Sequence, residues 1–145
     1  MCAKPANNVF FSSKRQDWPT PWTLFHHWDE QQGPFDLDVC AFPHNAKCST
    51  FYTPEQDGLS MPWFGICWCN PPYGKPIPQW LQKAMKELRS GRAKRVVFLL
   101  PSRTDAAWWH DYVLPYGDIR FLRGRVTFEG AKHSAPFASV IVIFE

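Results

Sequence analysis

The sequence predicts an α/β sandwich built on a mainly parallel sheet. Three observations lead there. The stretch RVVFLLP, residues 95–101, is an unbroken apolar run, the pattern of a strand buried on both faces. Residues 76–90 place Ile77, Trp80, Leu81, Ala84, Met85 and Leu88 on one face of an amphipathic helix, which Gly91 closes. Helix-like and strand-like segments then alternate along the chain, the signature of βαβ units rather than of hairpins.

The elements follow in order. In TPWTLFHHWDEQQG, Thr20 is placed to cap a helix, Pro21 to occupy its first position and Gly33 to stop it. Leu24, Phe25 and Trp28 share its inner face. FDLDVCA, residues 35–41, reads as a short strand. Residues 42–64 are irregular, with Asp57-Gly58 a turn signal. GICWC, residues 65–69, is a strand that runs straight into Asn70-Pro71-Pro72-Tyr73. A helix is expected from Thr104 or Asp105 to Leu114, with Trp108 and Tyr112 inward. IRFL (119–122), RVTF (125–128) and SVIVIFE (139–145) complete a strand-rich C-terminal part. In such sheets ligands gather at the carboxyl ends of strands, where the turns at 38–41 and 70–73 fall.

Composition bounds the function classes. A length of 145 residues suits one domain, and 45% hydrophobic with 17% aromatic residues argues for a packed globule. The expected organisation is a tail over residues 1–15 and one compact domain over 16–145. A net charge of +3 permits a nucleic-acid partner without requiring one. No run approaches the ~20 apolar residues of a membrane span, and the N-terminal stretch lacks the apolar core of a signal peptide. Five cysteines, an odd number, point to a reducing cytoplasm. Cys67 and Cys69 are a single residue apart within one strand, and the two-to-four residue spacing of zinc ligands is absent. Buried, inert thiols are the better reading, and no metal is expected.

Asn-Pro-Pro-Tyr after a strand resembles the catalytic motif of S-adenosylmethionine-dependent methyltransferases that act on exocyclic amines or amides. Alone, the tetrapeptide fits a stiff structural turn equally well. Nine further segments keep a family order: Ser12-Ser13-Lys14, Asp17-Trp18-x-Thr20-Pro21, Leu37-Asp38-Val39-Cys40-Ala41, Asn45-Ala46-Lys47-Cys48, Thr53 to Leu59, Leu100 to Asp105, Trp108-Trp109-His110, Gly124-Arg125 and Ser134-Ala135-Pro136-Phe137. Together they resemble the phage and prophage DNA N6-adenine methyltransferase (Dam-type) family, over nearly the whole chain. The resemblance implies a Rossmann-like methyltransferase sandwich in a compact single domain, its sheet mostly parallel with an antiparallel C-terminal strand. It implies S-adenosylmethionine as co-substrate, DNA as partner and a bacterial host cytoplasm. A monomer or a homodimer is compatible with it.

By the same resemblance, Asn70, Pro71, Pro72 and Tyr73 form the catalytic turn. An adenine N6 lone pair is conjugated into the ring and nucleophilically poor. Two acceptors on its hydrogens, the Asn70 side-chain oxygen and the Pro71 carbonyl, draw the nitrogen toward tetrahedral geometry. Pro72 stiffens the turn, and Tyr73 offers a ring face to a base swung out of the duplex. The donor falls to Trp18, Thr20, Pro21, Asp38, Cys40, Ala41, Asp57 and Asn70, with Asp38 facing the ammonium of the methionine part. The DVCA stretch lacks the glycines common in methyltransferase donor loops. Arg103, Arg123, Arg125 and Lys132 are candidates for DNA contact; for Arg103 an ion pair with Asp105 is equally open. Two alternatives stand beside this reading: a non-catalytic nucleic-acid-binding relic of the fold, and a protein-glutamine amide methyltransferase.

Overall fold

The computed structural model describes residues 17–145; the expected tail over 1–15 lies outside them. Helix α1 (Trp22–Gln32) precedes β1 (Leu37–Asp38), then come β2 (Gly65–Cys69), α2 (Ile77–Arg89), β3 (Ala93–Pro101), α3 (Leu114–Tyr116), β4 (Asp118–Phe121) and β5 (Ser139–Phe144). Among the described residues the five strands form one mixed sheet in the order β1-β2-β3-β5-β4. β1, β2 and β3 pair in parallel, while β5 pairs antiparallel with β3 and with β4. β3 and β4 are both antiparallel to β5, so they share a direction, and β5 alone runs against the other four.

The core explains the placement of the strands. Val96 to Leu100 and Val140 to Phe144 are at most 2% exposed, so the two adjacent central strands are covered on both faces. Each large side chain so buried contributes about 1.5–3 kcal/mol. α1 packs its Phe25 ring 5.3 Å from Trp68 of β2. α2 buries Ile77, Trp80, Leu81 and Ala84, the face its spacing predicts, together with Glu87. The Glu87 carboxylate accepts from the Trp63 backbone N–H (2.7 Å) and from Arg92 (2.7 and 3.0 Å), which holds its pKa down at about 2.

Four expectations are corrected. The strand over 35–41 is regular only at Leu37–Asp38. Beyond it Val39 N–H still reaches the Trp68 carbonyl (3.1 Å) and Ala41 N–H the Tyr52 carbonyl (3.0 Å), so this glycine-poor stretch is laced between two neighbours. Thr20 does not cap α1: Pro21 stands at the cap, with no side-chain cap bond. RVTF forms no strand; Gly124 (φ +74°) and Gly130 (φ +79°) turn the chain, and Ala135 N–H closes on the Val126 carbonyl at 2.8 Å. The helix expected over 104–114 starts later, winds as a π-helix over Trp109–Val113 and ends in α3. Pro115 has no N–H for an α-helical bond, and the widened turn accommodates that. Trp108 faces inward as expected, but Trp109 is the more buried of the pair, at 3% exposure.

Candidate active site

Two turns at the carboxyl ends of adjacent parallel strands build the site, which is why β1 and β2 must be neighbours. At the end of β1, Asp38 is 2% exposed. Its carboxylate accepts from Lys47 N–H (3.0 Å) and Cys40 N–H (3.3 Å). Burial outweighs these bonds and pushes its pKa up to about 6. The Lys47 ammonium donates to the Asn45 carbonyl at 3.0 Å and lies 4.1 Å from the centre of the Trp22 ring.

At the end of β2 the two prolines leave no room for a regular continuation, and Asn70 is gripped from the N-terminal side. Its Nδ2 donates to the Trp18 carbonyl and to Thr20 Oγ1, the latter at 3.0 Å. A carbonyl can only accept, so the amide orientation is fixed by chemistry. The other end, Oδ1, is buried and has no hydrogen-bond partner among the described residues. An orphaned buried acceptor costs about 1–3 kcal/mol. Sites that retain one generally use it.

A cavity of about 220 Å³ joins these parts. It is lined by Trp18, Thr20, Asp38, Cys40, Ala41 and Asn70, with Pro71 and Pro72. Thus six of the eight residues expected at the donor meet here. Pro21 is not on the lining; its carbonyl accepts from Phe25 N–H at 3.1 Å and starts α1. Asp57 is not there either. It caps a 3₁₀ turn, Gly58–Ser60, accepting from Leu59 N–H (3.2 Å) and Ser60 Oγ (2.7 Å). That turn serves packing: a Cβ on Gly58 would sit 2.1 Å from the Val39 carbonyl. The lining adds Phe42, Asn45, Lys47, Pro54 and Trp68, to which the sequence reading gave no role. Asn45 and Lys47 lie in a recognised family segment; that was the only signal for them.

A second cavity, of about 640 Å³, opens on the other side of the proline turn. Tyr73, Trp18, Arg103, Asp105, Trp108 and Phe137 line it. Tyr73 is not the open platform expected. It is 5% exposed, its hydroxyl donates to the Leu99 carbonyl at 3.0 Å, and its ring meets Phe128 at 83° and Phe137 at 67°. The turn must be anchored against β3 to stay rigid, and Tyr73 is that anchor. Arg103 is exposed on the cavity wall and makes no ion pair with Asp105.

Arg123, Arg125 and Lys132 are exposed on the loop between β4 and β5 and line neither cavity. That loop is clasped to the N-terminal strap: Glu129 N–H reaches the Pro19 carbonyl (3.0 Å), and the Trp18 ring packs 5.3 Å from Phe128 and 5.1 Å from Phe137. Burial pushes the Cys40, Cys48 and Cys67 thiols up to about 12, which keeps them protonated. Among the described residues no group of three or more His, Cys, Asp or Glu could hold a metal ion. No helix among them is long and apolar enough to cross a membrane.

Comparison with known proteins adds two kinds of match. The family described as DNA N-6-adenine-methyltransferase (Dam) matches residues 8–145. A "DNA N-6-adenine-methyltransferase" of Haemophilus phage HP1 (strain HP1c1) is 39% identical over 103 residues, 68% of this chain and 58% of that protein. A protein of Escherichia coli (strain K12), named "Putative methyltransferase YfdM", is 34% identical over 77 residues, 48% of this chain and 82% of that protein. The chain thus matches less than two thirds of the phage relative's length.

Proposed function

The chain belongs to the DNA N-6-adenine-methyltransferase (Dam) family, and we propose on that footing that it transfers a methyl group from S-adenosylmethionine to the N6 amino group of adenine in DNA. The observation that carries the reading is the Asn70 amide, with its nitrogen tied down and its oxygen left as a buried acceptor without a partner. An exocyclic amine supplies the hydrogen that this oxygen lacks.

The donor, a sulfonium, supplies the methyl group when bound. The cavity suits it: the Asp38 carboxylate matches its ammonium, and Trp18, Phe42, Pro54 and Trp68 give apolar walls. This chain's residues then do three things. Asp38 binds and orients the donor. Asn70 Oδ1 and the Pro71 carbonyl take the two amino hydrogens and localise the nitrogen lone pair. Pro71 and Pro72 keep both acceptors from drifting, so alignment and electrostatics supply most of the acceleration. Transfer would release a neutral thioether without a general acid, and the surplus N6 proton would pass to water.

The second cavity is our candidate for the target base, with Trp18 and Phe137 as ring surfaces and Arg103 toward a phosphate. The single sheet in a Rossmann-like sandwich, phage or prophage origin and action in a bacterial host cytoplasm, as a monomer or a homodimer, belong to the same proposal. The family match does not favour the relic alternative. The test incubates the protein with methyl-labelled donor and DNA, then digests the DNA to nucleosides; label in N6-methyladenine is expected. Asn70→Ala is expected to abolish transfer while calorimetry still shows saturable donor binding. Transfer at the wild-type rate in that variant would end the acceptor-turn mechanism.

A further inference from the structure

We infer that Thr20, with the Trp18 carbonyl, is a positioning residue for Asn70, and that the strap makes position 70 of this chain specific for an amide. The inference rests on the proposed function for its kinetic consequences, but not for its structural ones.

A side-chain amide is nearly symmetric in shape, and only its partners decide which end faces the reacting atoms. Here both partners act on the nitrogen. The Trp18 carbonyl is an obligate acceptor, and Thr20 Oγ1 accepts the second hydrogen at 3.0 Å. Both Asn70 donors are thereby consumed by residues some 50 positions away in the chain, and the oxygen is left over. Thr20 is itself only 3% exposed, although it lines the first cavity, so its hydroxyl is largely shielded from bulk solvent. This accounts for a hydroxyl that caps nothing at α1 although it stands one residue before the helix cap. A carboxylate at position 70 has no hydrogens to give. One of its oxygens would then face the Trp18 carbonyl oxygen across a hydrogen-bond distance, two acceptors with nothing between them.

Three variants and two readouts test this. Thr20→Val keeps the shape and removes the acceptor; Thr20→Ser restores it; Asn70→Asp removes the donors. For Thr20→Val, kcat is expected to fall at least about tenfold, with the donor Kd and the KM for DNA held within about twofold. Thr20→Ser is expected to recover most of the loss. Asn70→Asp is expected to lose methyl transfer at about pH 8, where a carboxyl is ionised. The second readout needs no activity: the Asn70 side-chain NH₂ protons, followed by nuclear magnetic resonance, should exchange slowly in the wild type and rapidly in Thr20→Val. Unchanged exchange in Thr20→Val overturns the inference, as does a Thr20→Val whose defect lies in donor Kd with kcat intact, or an Asn70→Asp as active as wild type. Slow exchange in a wild-type protein that methylates no DNA overturns the proposed function and leaves the clamp standing. Should Thr20→Val fail to fold, Asn70→Asp at full activity still overturns the inference.

Discussion

At the scale of single residues, Asp38 shows how a site group works against the fold. Burial pushes its carboxyl from 3.8 up to about 6. A carboxyl raised on folding contributes its stability in full below about pH 4, and that contribution is lost as pH climbs through about 6. Above the window the ionised group costs on the order of 2–3 kcal/mol, which a cationic head bound as proposed would recover. The donor is therefore expected to raise the melting temperature more at about pH 7.5 than at about pH 5, and Asp38→Asn should remove the difference. Equal shifts at both pH values, read by scanning calorimetry, would separate Asp38 from the ammonium. The place of Asp38 at the end of β1 was legible in the sequence because a carboxylate at a strand end is a local pattern. The tether on Asn70 was not, because its partners are 50 and 52 residues away and only the fold brings them near. Asp57 misled for the opposite reason: its chemistry suits a donor hydroxyl, but both its oxygens are taken by its own turn.

At the scale of elements, the helices and the apolar strands were legible because their periodicities are set by burial, and α2 matches its predicted face nearly residue by residue. The misses fall where a single residue overrides the pattern, as Pro115 does in the last helix and Gly124 and Gly130 do around RVTF. The 3₁₀ turn after Asp57 gives a sharp prediction. Gly58→Ala drives a methyl group against the Val39 carbonyl, 2.1 Å away, and toward the Trp80 ring at 3.1 Å. Denaturant unfolding should show a loss of about 2–3 kcal/mol. A Gly124→Ala control, with nothing within 4 Å and only a positive φ of 74° to contend with, should lose about 1 kcal/mol. Equal losses would mean that the close approach at Gly58 relaxes.

At the scale of the whole molecule, the site is assembled from both ends of the described chain: the strap at 17–21 and the β4–β5 loop close over a turn that lies between them in sequence. No local reading could join these, since the connection is made across more than a hundred residues, by Trp18 against Phe128 and Phe137 and by Glu129 N–H on the Pro19 carbonyl. The loop also carries the charge predicted for DNA contact. Replacing Arg123, Arg125 and Lys132 together by Ala is expected to weaken DNA binding equally for all sequences. The slope of log affinity against log salt should shrink by up to about 3, with donor affinity unchanged. An unchanged slope would remove these three residues from the interface.

The strand order carries one more consequence, for how the molecule comes together. β5 follows β4 in the chain, yet it lies between β4 and β3. β3 and β4 both pair with β5, so the edge of β3 stays unpaired until β5 docks, alone or already paired with β4. Until then Phe121, 74% exposed even in the finished fold, and the bare edge of β3 stand open together. Long-range pairings of this kind slow the search and leave sticky intermediates waiting. The vulnerable moment for this protein is thus the arrival of β5, and the yield of refolding from denaturant should fall steeply with protein concentration.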